Sequence, residues 1–151
     1  LIGGIGISGL VAMLLVAHEP TPTLDSYTPR MQSLVLELDE SLAQTEELIA
    51  EGRDPSQRHF DSVDEVYDTW GRVYTELLRM KPPEAVTGWH ERIEQAARIA
   101  NELRHPCRDG LTGEFELDAL EVCEAGLPKV RARLADAPLL LPGAAPPSGF
   151  Q

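Results

Sequence analysis

The chain of 151 residues carries 25 Asp and Glu against 13 Lys and Arg, a formal charge of −12. An acidic surface of this kind repels phosphate, which argues against a nucleic-acid partner. All the formal charge lies between Glu19 and Asp136, so an acidic middle is flanked by two uncharged ends.

The first element is the run LIGGIGISGLVAMLLVA, Leu1 to Ala17, without charge or proline. As a helix rising about 1.5 Å per residue it is roughly 25 Å long, a little short of the ~30 Å hydrocarbon core, a gap that a few residues upstream of Leu1 would close. Four glycines in nine residues are costly for a helix buried in a water-soluble domain but tolerated in a membrane span. A cleaved secretory signal is the main competitor. Its best cut, after Ala17, leaves the large Leu15 where a small residue is wanted, and no cysteine follows that a lipid could acylate. The expectation is an uncleaved single-pass transmembrane anchor over 1–17, surrounded by lipid. Gly4, Ser8 and Ala12 recur every four residues and form a small-residue face suited to close packing against another transmembrane helix. His18, Glu19 and Asp25 precede the first arginine, Arg30, so the positive-inside tendency places the following domain outside the cytoplasm.

Residues 18–27 contain EPTPTLDSY, whose alternating prolines predict an extended spacer. From there the pattern is helical. Thr28-Pro29 reads as an N-cap followed by a first-turn proline, and Met31, Leu34, Val35, Leu38, Leu42, Thr45 and Ile49 recur at three-to-four spacing until Gly52. Asp54-Pro55 starts a second helix with an apolar stripe of Phe60, Val63, Tyr67, Trp70, Tyr74 and Leu77, stopped by Lys81-Pro82-Pro83. A third helix runs from about Glu84 to Arg104 through Val86, Trp89, Ile93, Ala96, Ala97, Ala100 and Leu103, and His105-Pro106 closes it. The fourth starts near Glu114 and carries Phe115, Leu117, Leu120, Val122, Cys123, Leu127, Val130 and Leu134, with Gly126 and Pro128 predicting a kink or restart. The sum is an all-α protein: an N-terminal transmembrane helix, an extracytoplasmic antiparallel four-helix bundle over 28–137, and an extended Pro-rich tail over 138–151.

Cys107 and Cys123 are the two cysteines. A bridge between them would tie the turn after the third helix to the middle of the fourth, closing a loop of about 17 residues worth roughly 3 kcal/mol, and would agree with an extracytoplasmic compartment. Two buried thiols are the alternative. Zinc is disfavoured, because the spacing is not that of a zinc knuckle and His105 would be the one nearby nitrogen ligand.

Motifs for covalent haem, zinc hydrolysis, phosphate-binding loops and di-iron bundles are missing from the sequence, so no enzyme activity, metal or cofactor is expected. His90, beside Trp89 and near Glu91 and Glu94, could ligate a metal but reads better as a surface or boundary residue. Asp61, Asp64, Glu65 and Asp68 line one side of the second helix; a solvated face is the simpler reading, with a basic protein partner as the functional one. Trp70, Trp89, Tyr67 and Tyr74 are expected in the core, or around a pocket between the helices.

The tail, APLLLPGAAPPSGFQ, carries Leu139, Leu140, Leu141 and Phe150 without helical phasing. It cannot bury them by itself and is expected to lie against another surface, most simply a partner. These features together favour a non-catalytic accessory subunit of a larger membrane complex, by analogy with single-span subunits of respiratory or photosynthetic assemblies. The second reading is a membrane-tethered sensor that holds a small ligand in its bundle core. A closed core favours the first and a cavity of several hundred Å³ between Trp70 and Trp89 the second.

Overall fold

The computed structural model describes residues 22–52, 56–113 and 117–135. The expected transmembrane anchor with its Gly4, Ser8 and Ala12 face, and the tail with Leu139, Leu140, Leu141 and Phe150, lie outside the described residues. Among the described residues no helix is long and apolar enough to cross a membrane.

The described chain is helical throughout: α1 (Leu24–Glu51), α2 (Gln57–Arg79), a 3-10 turn (Glu84–Val86), α3 (Thr87–Thr112) and α4 (Leu117–Ala135). Contacts between neighbours fix the directions. Ser41 of α1 meets Trp70 of α2 and Arg30 approaches Glu76, so α1 and α2 run antiparallel. Cys107 bonds Cys123, and Leu103 lies against Gly126, so α3 and α4 are antiparallel too. Helix α3 packs on each of the other three helices, whereas α4 packs chiefly on α3.

Helix starts are set by capping side chains and not by the local proline signals. Thr23 accepts the Ser26 amide at 3.3 Å and begins α1, so Leu24–Tyr27 is helix rather than part of an extended spacer, and Pro29 sits inside. Pro29 forfeits one backbone hydrogen bond, but starting a turn earlier buries Tyr27 and Thr28. Ser56 caps α2 in the same manner, accepting from the His59 amide. At the other end of α1, Gly52 has φ +83°, a backbone conformation that L side chains rarely adopt, and its amide donates to the Leu48 and Ile49 carbonyls.

Prolines expected to break helices do not. α3 continues through Pro106 to Thr112, and α4 passes through Pro128 without a restart. The continuation of α3 buries Cys107, Gly110 and Leu111, so Cys107 is a helical residue and not part of a turn. Burial on the far side offsets the lost hydrogen bond.

The core holds Tyr27, Met31, Leu34, Leu38 and Leu42 from α1, Trp70, Val73 and Leu77 from α2, Val86, Trp89, Ile93 and the three alanines from α3, and Cys123, Leu127 and Val130 from α4. The expected stripes of α1 and α3 match this closely. That of α2 is rotated by about one residue: Val66 and Val73 are buried, while Tyr67 and Tyr74 are only half-buried. Valine fills the narrow seam, and a tyrosine at the seam edge keeps its hydroxyl in reach of water or a polar partner. In α4, Val122 is half exposed, and Ala119 is buried on the inward face.

Candidate functional site

The candidate sites are side-chain clusters at the helix ends and seams. Most unexpected from sequence are two buried histidines. His90, in the first turn of α3, is 3 % exposed, and its Nε2 lies 3.2 Å from the Leu77 carbonyl in the last turn of α2. His59, in the first turn of α2, is 5 % exposed, and its Nε2 lies 3.1 Å from the Leu111 carbonyl in the last turn of α3. Carbonyls in the last turn of a helix have accepting capacity to spare, and that of Leu77 also accepts the Met80 amide at 3.2 Å. Each helix of this hairpin therefore supplies a histidine N–H to the other's C-terminus, where donors also complement the helix dipole.

The tautomer of His90 follows from its neighbours. A carbonyl only accepts, so Nε2 carries the proton and donates to Leu77; Nδ1 is then the acceptor for the Tyr27 hydroxyl, 2.8 Å away. Both ring nitrogens are satisfied in the neutral form, which leaves no lone pair for a metal. Among the described residues no group of three or more His, Cys, Asp or Glu could hold one. The reading of His90 as a surface or boundary residue is thus corrected. Its ring completes the joint between α1, α2 and α3, because Trp89 beside it and Tyr27 opposite close the core around it.

Burial holds the His90 imidazole below the usual histidine range, against the opposing pull of Glu94, whose carboxylate lies 3.8 Å from Nε2, and of Glu91. Burial likewise raises the Tyr27 phenol. Because the folded state disfavours the protonated imidazole, unfolding takes up a proton when the pH lies between the depressed folded value and about 6.5. The His90 contribution is fully present above that window and lost as the pH falls through it. The midpoint of chemical denaturation, followed from about pH 7.5 to about pH 5, is expected to fall more steeply for the native sequence than for His90→Gln. Equal pH slopes would mean that the buried imidazole is not titrating with unfolding.

The cysteine pair forms a disulfide with Cα atoms 4.8 Å apart. Gly110, one turn further along α3, makes this approach possible: a Cβ there would lie 2.7 Å from the Leu120 backbone. The close crossing of α3 and α4 therefore needs the glycine, and the bridge lies one turn away from it.

The acidic side chains Asp61, Asp64, Glu65 and Asp68 are all exposed. They are partly engaged at home. Asp64 pairs with Arg108 of α3 at 3.2 Å, and Asp61 accepts from Gln57. Nearby, the guanidinium groups of Arg104 and Arg108 lie 4.5 and 5.1 Å from the centroid of the Tyr67 ring, a cation–π cluster that explains why Tyr67 stays at the seam instead of entering the core.

The void bordered by Trp70, Thr45, Val66 and Leu111 is about 10 Å³, close to the minimum for a single water. Open clefts lie at the surface. One, of about 620 Å³, runs along the seam of α1 and α4 over Ile49, Leu127, Pro128, Ala132 and Ala135, with Glu46, Glu124 and Arg131 at its rim. Arg131 is committed to α1, pairing with Glu46 at 2.9 Å and with Asp39.

Comparison of this chain with protein-family models, curated proteins and solved structures finds no match.

Proposed function

We propose that this protein is a non-catalytic accessory subunit of a larger membrane protein complex, anchored by the apolar segment 1–17 and presenting its acidic helical bundle outside the cytoplasm. The observation that carries this reading over a ligand-binding sensor is the tight packing around Trp70: the void it borders with Thr45, Val66 and Leu111 is about 10 Å³, far below the several hundred Å³ of a small-molecule site. The cross-link between Cys107 and Cys123 supports an oxidising compartment. The length and composition of residues 1–17 support the anchor, and the stripe Gly4, Ser8, Ala12 offers a face for a neighbouring transmembrane helix. Outside the membrane, the exposed carboxylates of Asp61, Glu65 and Asp68 suit a basic partner surface. Charge complementarity of that kind steers association and selects partners more than it adds affinity.

The test is extraction of native membranes in a mild detergent, affinity capture of the full chain and identification of the retained proteins. Integral membrane subunits in fixed ratio to the bait are expected. Substituting Ser8 with Leu, which interrupts the small-residue face with a bulky side chain, is expected to reduce their recovery without altering helix content by circular dichroism. A bait that leaves the membrane alone, as a monomer, overturns the reading.

A further inference from the structure

We propose that the cleft between the start of α1 and the end of α2, lined by Arg30, Arg79 and Lys81, binds a phosphate group, and that its source is the headgroup of an anionic phospholipid in the membrane that holds the chain. The choice of source rests on the membrane anchor proposed above; the cleft itself does not.

The positive charge is local. In a chain of formal charge −12, this cleft of about 300 Å³ has three cationic side chains in its lining, together with Pro22, Ser26 and Met80, and no carboxylate among the described residues. The cations come from three places: the second turn of α1, the last turn of α2 and the segment that follows it. The side chains of Arg79 and Lys81 make no ion pair among the described residues. Arg30 approaches Glu76 at 3.9 Å, beyond hydrogen-bond distance, and Glu76 is nearer to Arg72, at 3.3 Å. Cations gathered without a matching acid repel one another, and an incoming anion relieves that repulsion. Arginine presents a planar fork of N–H donors that fits phosphate oxygens, and lysine adds a point charge.

Position favours a lipid as the source. The proposed span ends at Ala17, and Pro22, at the edge of the cleft, follows five residues later. Five residues cover at most about 18 Å however they are arranged, so the cleft stays close to the bilayer surface. The headgroup layer that carries the phosphates is about 5–8 Å deep on each side of the hydrocarbon.

The acidic surface is distributed to agree. Asp61 and Asp64 stand near the other end of α2, about 27 and 22 Å from Arg79 at the helical rise, so they are held away from anionic lipid when the basic end meets it. Asp25 and Glu84 share the basic end of the bundle but not the lining of the cleft.

The chain carries its own reference for the test. Lys81 and Lys129 are its two lysines; both are exposed, and Lys129 lies outside the cleft. The full chain is placed in vesicles of phosphatidylcholine alone or of phosphatidylcholine and phosphatidylglycerol in equal parts, and amine acetylation is followed by mass spectrometry. In the mixed vesicles Lys81 is expected to react about fivefold more slowly relative to Lys129, the factor that one basic side chain gains at an anionic surface. Arg79→Gln and Arg30→Gln, at exposed positions, are each expected to lose most of that protection with helix content by circular dichroism unchanged. A third sample adds inorganic phosphate to the phosphatidylcholine vesicles. Protection there, with none from phosphatidylglycerol, keeps the phosphate cleft and overturns the lipid source. Equal slowing of both lysines, or protection that survives both substitutions, marks a general surface effect and overturns the proposal. So does unchanged reactivity of Lys81 in all three samples. Flotation with the neutral vesicles reads the anchor separately: a chain that stays behind removes the membrane reading and the lipid source, while inorganic phosphate added to that soluble chain still decides the cleft.

Discussion

Loss of the Cys107–Cys123 bridge is expected to lower the stability of the bundle by about 3 kcal/mol. The two residues are 16 apart in sequence, and cross-linking them removes loop-closure freedom from the unfolded chain. The folded state depends on the bridge as well, because α4 packs chiefly on α3 and is tied to α1 at the surface through Arg131. Exposed ion pairs of that kind contribute roughly 0–1 kcal/mol each. Without the bridge, α4 rests on Leu127, Val130 and the close approach at Gly110. Chemical denaturation of the full chain in detergent, comparing the native sequence with a Cys107→Ala, Cys123→Ala double variant, should show the drop as a lower midpoint. Alanine suits both positions, since Cys107 and Cys123 are buried and serine would add an unpaired hydroxyl. An unchanged midpoint would show that α4 is held by packing alone. The native protein, denatured without reductant, should present no alkylatable thiol; two thiols would remove both the bridge and the support it lends to an oxidising compartment.

Truncating Trp70 should cost more. Trp70→Ala removes a fully buried indole, 0 % exposed, from the centre of the α1–α2 interface, and such truncations cost about 3–5 kcal/mol. Its Nε1 also donates to the Ser41 hydroxyl at 2.8 Å, which in turn donates to the Leu38 carbonyl. Trp70→Phe keeps much of the apolar area and deletes only the outer bond of this chain, so its loss should be closer to about 1 kcal/mol for the missing hydrogen bond, plus a smaller packing term. Against a total stability of about 5–15 kcal/mol, the alanine variant should show a greatly lowered midpoint and loss of near-ultraviolet signal from Trp89, while the phenylalanine variant remains folded. The void already beside Trp70 is only about 10 Å³, so little slack is available for the surroundings to relax into. If Trp70→Ala denatured within about 1 kcal/mol of the native sequence, the core would have to be far more adaptable than close packing allows.

Three-to-four spacing of apolar residues was sufficient to identify the helical class, the inward faces of α1 and α3, and Trp70 and Trp89 as core residues, since the period of a helix is a local property. The cysteine pairing was legible for a similar reason: two cysteines allow one intramolecular bridge. Helix limits at Pro29, Pro106 and Pro128 were not legible. A proline inside a helix is penalised by about 3 kcal/mol in local terms, and only the assembled core reveals the burial of Tyr27 or of Cys107 and Leu111 that offsets it. The phase of α2 turned on the same kind of choice. Phe60, Tyr67 and Tyr74 and the run His59, Val66 and Val73 are both helical stripes, and the narrow seam with α1 and α3 selects the second.

For the candidate site, the sequence by itself determined the acidic exposed face and the two uncharged ends, because these are compositional. The run His59, Val63, Val66, Trp70, Val73, Leu77 and the position of His90 beside Trp89 were the available signals for buried histidines. What a histidine does there depends on which carbonyl lies opposite, and Leu111 and Leu77 are 52 and 13 residues away. The apolar groove is likewise a product of tertiary structure. Ile49 and Ala132 belong to helices far apart in the chain, and only the way α4 leans on α3, leaving its edge open toward α1, brings them to one surface.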